Sequence, residues 1–163
     1  MDTPRIVSLI ASSTEIVCAL GLEGQLVGRS HECDYPSSVA RLPVCTRPKF
    51  NPEGSSYEID QRVKAVLEQA LSVYLVDPAM LRKLQPTHII TQTQCEVCAV
   101  SLKDVQQAVE QLADCRATIV SLEPNALADV WPTFSRWPTP WRFPSAGGVW
   151  LKSSKTAWRA SPR

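Results

Sequence analysis

A chain of 163 residues is long enough for one domain with a real core, and 44% apolar content is ordinary for a globular protein. The formal net charge of +1 gives no reason to expect nucleic acid as a partner. The apolar runs are too short to span a bilayer, and Met1–Ile10 lacks the charged start, long apolar run and cleavage site of a secretory signal. As written, the chain is expected in the cytoplasm. Its six cysteines are then more naturally reduced, metal-bound or catalytic than disulfide-paired.

"RIVSLI" (Arg5–Ile10) reads as a buried strand, short and rich in β-branched residues. "SSTEIVCALGL" reads as a helix, with capping-box spacing from Ser12 to Glu15, one face of Ile16, Ala19 and Leu20, and Gly21 as its end. "QLVGRS" is a second strand. "HECDYPSSVARLP" carries two prolines and reads as loop with a helical turn, and Val44–Thr46 as a brief strand. "YEIDQRVKAVLEQALS" is the clearest helix, with an apolar stripe of Ile59, Val63, Val66, Leu67 and Ala70. "DPAMLRKLQP" is a short helix capped by Asp77, with Pro78 in its first turn and Pro86 closing it. "THIITQ" is a strand, and "SLKDVQQAVEQLAD" is a helix opened by Ser101 and Asp104. "ATIVSL" is a strand, and "EPNALADV" opens a further helix. Strands alternating with helices predict an α/β fold, a mostly parallel sheet flanked by helices in three layers.

The pattern stops after Val130. All 16 acidic residues lie at or before Asp129, so residues 1–129 carry a net −5 and residues 130–163 carry +6. All five Trp and five of the 13 Pro fall in 131–163. The chain therefore divides into an α/β lobe, 1–130, and a Pro/Trp/Arg-rich tail, 131–163. Disordered tails are poor in aromatics, so the tail reads as out of family, from a shifted reading frame or an alien C-terminal sequence. The alternative is a basic, Trp-rich interaction tail.

In an open parallel sheet, ligands bind beyond the carboxyl ends of the strands. Three such ends carry polar or thiol residues: Ser12 and Ser13 after the first strand, His31, Glu32, Cys33 and Tyr35 after the second, and Gln92, Gln94, Cys95, Glu96 and Cys98 after "THIITQ". His31, Cys33, Cys95 and Cys98 would make a Cys3His zinc set, although one Cys-x-x-Cys pair with a short His-x-Cys arm also suits thiols that merely line a pocket. Redox exchange ranks below metal binding. The capped helix starts only after the pair, and Glu96 between the thiols disfavours a thiolate. Cys18, Cys45 and Cys115 read as packing residues, and His88 as packed or capping. Nucleotide-binding glycine motifs and the nucleophile-elbow pattern are absent from the sequence.

"RIVSLIASSTEIVCALGLEGQLVGRSHECDYP", "EIDQRVKAVLEQALSVYLVD", "LQPTHIITQTQCEVCAVS" and "IVSLEPNALADV" closely resemble the N-terminal lobe of cobalamin-binding proteins. These are relatives of the periplasmic substrate-binding components of ABC importers for cobalamin and iron–siderophores. The resemblance covers about residues 4–130, and "SHECDYP" with "QCEVCAVS" points to a cysteine-bearing, cobalamin-type branch. It implies a binding protein and not an enzyme: two α/β lobes joined by a long helix, a ligand between them, and a transporter permease as partner. The implied ligand contacts are Ser12, Ser13, His31 to Tyr35 and Gln94 to Cys98, with Tyr57 and Tyr74 in matching segments. A histidine or cysteine there could approach the cobalt of a corrinoid. The second lobe that the resemblance implies is missing after Val130. The expectation is a foldable lobe with weakened corrinoid binding and an exposed, aggregation-prone face.

Overall fold

The apolar run at the start of the chain becomes the centre of the structure, a computed structural model that describes residues 3–68, 72–93, 100–112, 116–126 and 129. Strand β1 (Ile6–Ser8) is buried along its length. It pairs in parallel with β2 (Leu26–Arg29) on one side and β5 (His88–Gln92) on the other, and β5 pairs in parallel with β6 (Thr118–Leu122). The order β2-β1-β5-β6 makes a four-stranded parallel sheet. A strand with neighbours on both edges and helices on both faces has no solvent side, which is why β1 and β5 read as unbroken apolar runs.

Alternate side chains go to opposite faces. Ile6 and Ile90 join Val17, Leu20, Leu26 and Val39 on the side of helix α1 (Ala11–Ala19). Val7 and Ile89 join Leu81, Leu84, Val105 and Leu112 on the side of α3 (Pro78–Leu84) and α4 (Leu102–Glu110). Each such side chain contributes roughly 1.5–3 kcal/mol on burial. The three-layer α/β arrangement read from the sequence is the one formed.

A second, two-stranded antiparallel ribbon joins β3 (Thr46–Pro48) to β4 (Tyr74–Val76). The short strand expected at Val44–Thr46 begins two residues later, and β4 has no counterpart among the expected elements. Between the two strands runs α2 (Ser56–Glu68). Its periodicity is helical as expected, yet none of its residues is buried. Gly28 on β2 is closely covered: a Cβ there would stand 2.7 Å from both Cys45 Sγ, just ahead of β3, and Leu84 Cδ1 at the end of α3.

Helix boundaries follow local chemistry. Helix α1 ends in paired bonds, Gly21 N–H to Cys18 O and Leu22 N–H to Val17 O, with Gly21 at φ 77°. Glycine takes that left-handed position without steric cost. Asp77 caps α3 by accepting from Met80 N–H at 3.0 Å, and Ser101 caps α4 by accepting from Asp104 N–H at 3.1 Å. Arg5 donates to Leu84 O at the end of α3, where a cation suits the helix dipole. Residues 131–163 lie outside the described residues.

Candidate ligand-binding site

Because β2, β1 and β5 are adjacent and parallel, the segments leaving their carboxyl ends share one edge. Backbone bonds knit that edge past the strands themselves: Ser30 N–H to Ser8 O at 2.9 Å and Leu9 N–H to Ile90 O at 2.9 Å.

The first segment opens α1. Here the capping-box expectation is corrected. The helix begins at Ala11 with Ile10 as N-cap, so Ser12 is already inside the first turn and does not cap. Ser13 instead donates back to Ile10 O at 2.9 Å, and its hydroxyl lies 2.6 Å from Ser8 Oγ. Thr14 Oγ1 lies 2.8 Å from Ser8 Oγ and 3.1 Å from Cys33 Sγ. The inward face of α1 is therefore Ser13, Thr14, Val17 and Leu20, while Ala19 is exposed. Buried hydroxyls find partners in one another. Ser13 and Cys33 thus support the edge from beneath, and Ser12 and Glu15 face outward.

The second segment carries His31. Its backbone N–H donates to Thr46 Oγ1 at 3.0 Å, and Nδ1 lies 2.8 Å from the same oxygen. The imidazole sits 5.0 Å from the ring of Tyr74, tilted by 58°. Tyr74 Oη donates to Glu32 Oε1 at 2.8 Å. The main sheet and the ribbon meet through these four residues. Burial lowers the His31 pKa; Glu32 opposes this and Arg29 adds to it. The ring is accordingly neutral at neutral pH. Among the described residues Nε2 has no hydrogen-bond partner. Burial, then Glu32, pushes Tyr74 up to about 12, which keeps it a phenol donor. Tyr35 stands 66% exposed on the same segment; Tyr57, on α2, is 72% exposed and away from these contacts.

The third segment leaves β5 at Gln92 and Thr93. Thr93 donates to Glu123 Oε1 at 2.7 Å, and Thr91 donates to Val100 O at 2.9 Å, holding the point to which the chain returns. Gln94, Cys95, Glu96 and Cys98 lie outside the described residues. Among the described residues no group of three His, Cys, Asp or Glu could hold a metal ion. Of the expected zinc set, His31 turns to Thr46 and Tyr74, and Cys33 turns to Thr14. Burial raises Cys45 to about 12 and Cys18 to about 11, so both remain thiols.

Two hollows flank the edge. One, of about 400 Å³, is lined by Ser12, Glu15, Ile16, Ala19 and Tyr35. The other, of about 230 Å³, is lined by Gln92, Thr93, Ser101, Leu102, Lys103 and Gln106. Thr46, Tyr74, Thr14 and Arg29 were not singled out as a supporting set from the sequence. The one available signal was "VYLVD", an apolar, β-branched run ahead of the Asp77 cap, which marks the strand that delivers Tyr74.

The fold is built like one lobe of a periplasmic substrate-binding protein. Its structure is similar to the periplasmic vitamin B12 binding protein BtuF of Vibrio cholerae, with a TM-score of 0.61 and 19% identity, covering 95% of this chain and 48% of that one. It is equally similar to the periplasmic heme-binding protein RhuT from Roseiflexus sp. RS-1, with a TM-score of 0.61 and 19% identity over 98% of this chain and 49% of that one. An ABC transporter substrate-binding protein from Listeria monocytogenes matches with a TM-score of 0.57 and 18% identity, over 97% and 46%. The chain spans about half the length of the solved structures it matches. No family model matches the chain, and no curated protein matches it. Among the described residues no helix is long and apolar enough to cross a membrane.

Proposed function

We propose that the chain captures a metal-bearing tetrapyrrole, a corrinoid of the cobalamin type, at the carboxyl edge of its sheet, and hands it to an ABC transporter permease. The observation that carries this reading is His31. It stands on the loop after β2 with Nδ1 engaged by Thr46, its ring backed by Tyr74, and Nε2 left for a ligand. Imidazole is a reasonable cobalt ligand. The rest of the edge suits an amide-rich periphery. Glu32 and Glu15 offer carboxylate acceptors, and Ser12, Gln92 and Thr93 offer neutral partners. Heme carries carboxylates instead. Among the described residues lining the two hollows, Lys103 is the single cation available to them.

The function is binding and not catalysis. The similar structures are of periplasmic proteins, and fractionation of the expressing cell locates this chain.

The second reading is a small zinc protein using His31, Cys33, Cys95 and Cys98. Isothermal titration with hydroxocobalamin and, separately, with zinc distinguishes the two. Heat with hydroxocobalamin at one site per chain supports the corrinoid reading. Stoichiometric zinc uptake without corrinoid uptake replaces it.

A further inference from the structure

We infer that Arg29 is a positioning residue, its guanidinium fixing the loop that presents His31 and Tyr35 before any ligand arrives; this rests on the corrinoid reading for its ligand. Arg29 is the last residue of β2. Its Nη1 donates to Ser30 O at 3.0 Å and to Cys33 O at 2.9 Å, and its Nη2 donates to Ala40 O at 3.0 Å. Those three carbonyls bracket His31, Glu32 and Tyr35, so the loop is wrapped around one planar cation. The backbone of Arg29 is fixed as well, its N–H donating to Pro43 O and its carbonyl accepting from Cys45 N–H.

The arrangement is costly if packing is its only purpose. Nε is buried without a hydrogen-bond partner, and the described ion pair of the chain, Lys64 with Asp60, lies elsewhere. An apolar residue would fill the space without desolvating a charge. A guanidinium adds a rigid fork that holds several acceptors at fixed angles. A loop ordered in advance lowers the entropy that ligand binding must overcome. Two amides inside the bracket, Glu32 N–H on Ser30 Oγ and Cys33 N–H on Ser30 O, report directly on that order.

The test uses the full 163-residue chain with Arg29→Met, which keeps length without donors, and Arg29→Lys, which keeps charge without the fork. Amide hydrogen exchange is measured at Glu32 and Cys33 and, as reference, at Leu9 and Ile90 in the sheet, alongside the Kd for hydroxocobalamin. In both variants exchange at Glu32 and Cys33 should accelerate about tenfold or more with the sheet amides little changed, and the Kd should weaken about tenfold. Equal loss of protection in loop and sheet, or failure of both variants to fold, would overturn the inference by making Arg29 a determinant of the whole fold. Local loosening with an unchanged Kd would overturn it too. If the unaltered chain binds no hydroxocobalamin, the corrinoid reading fails, and the exchange contrast alone decides whether Arg29 orders the loop.

Discussion

The Thr46 hydroxyl meets His31 twice, at 3.0 Å from its backbone nitrogen and 2.8 Å from Nδ1. One side chain on the ribbon thus sets both the loop and the imidazole. Thr46→Val keeps the shape and removes both contacts, leaving a half-buried N–H unpaired. The expected cost is about 1–3 kcal/mol, read as a lower urea midpoint, with Thr46→Ser recovering most of it. Equal stability of the valine variant would show that the two contacts are not made in solution.

The two histidines set a pH dependence. Burial lowers the pKa of both His31 and His88 from 6.5. The unfolded chain therefore takes up protons first as pH falls. This stabilising contribution is present above pH 6.5 and is lost as pH falls from there towards the lowered folded values. Denaturant melts across that window should show declining stability, and His31→Gln should flatten the decline. A slope unchanged by that substitution would contradict the placement of His31.

Gly28 reports how tightly Cys45 and Leu84 cover β2. A Cβ there would stand 2.7 Å from Cys45 Sγ and Leu84 Cδ1 and 3.2 Å from Val7 Cγ2. Gly28→Ala should destabilise by about 1–3 kcal/mol through overpacking, visible as a lower melting temperature. A neutral result would mean that Cys45 and Leu84 cover β2 more loosely.

Cysteine accessibility gives an independent check. Cys33 and Cys45 are fully buried, and burial raises the Cys45 thiol to about 12. Because the thiolate is the nucleophile, iodoacetamide at mildly alkaline pH should leave both unmodified in the folded chain and label both in urea. Peptide mapping by mass spectrometry separates them from the other cysteines. Rapid native labelling of Cys33 would mean that its thiol is open to the edge and available as a ligand.

Much of this architecture was legible because apolar periodicity and caps act locally. "RIVSLI" and "THIITQ" can satisfy their side chains only between two layers, and Asp77 and Ser101 announce their helices by the bonds they make. Where reading failed, the missing information was tertiary. The spacing of Ser12 and Glu15 fits a capping box, but with Ser13 and Thr14 buried against Ser8 and Cys33 the helix starts two residues earlier, with Ile10 as its N-cap. The stripe of α2 identifies a helix without saying what covers it, and no residue of that helix is buried. At the site, His31 and Glu32 were visible as polar residues after a strand. Their partners Thr46 and Tyr74 come from a ribbon whose pairing spans more than twenty residues of intervening chain. No local pattern encodes that pairing. The chain's likeness to B12-binding and heme-binding structures is a likeness of fold, whereas the choice of ligand rests on individual side chains.

The most direct test of the account is an absorbance titration of hydroxocobalamin with the unaltered chain and with His31→Ala. The account predicts a saturable shift of the corrinoid bands with the unaltered chain and its loss with His31→Ala. Hemin titrated in the same way should bind more weakly. Unchanged spectra up to high protein concentration, or the same shift with His31→Ala, would contradict capture of a corrinoid through His31 at this edge.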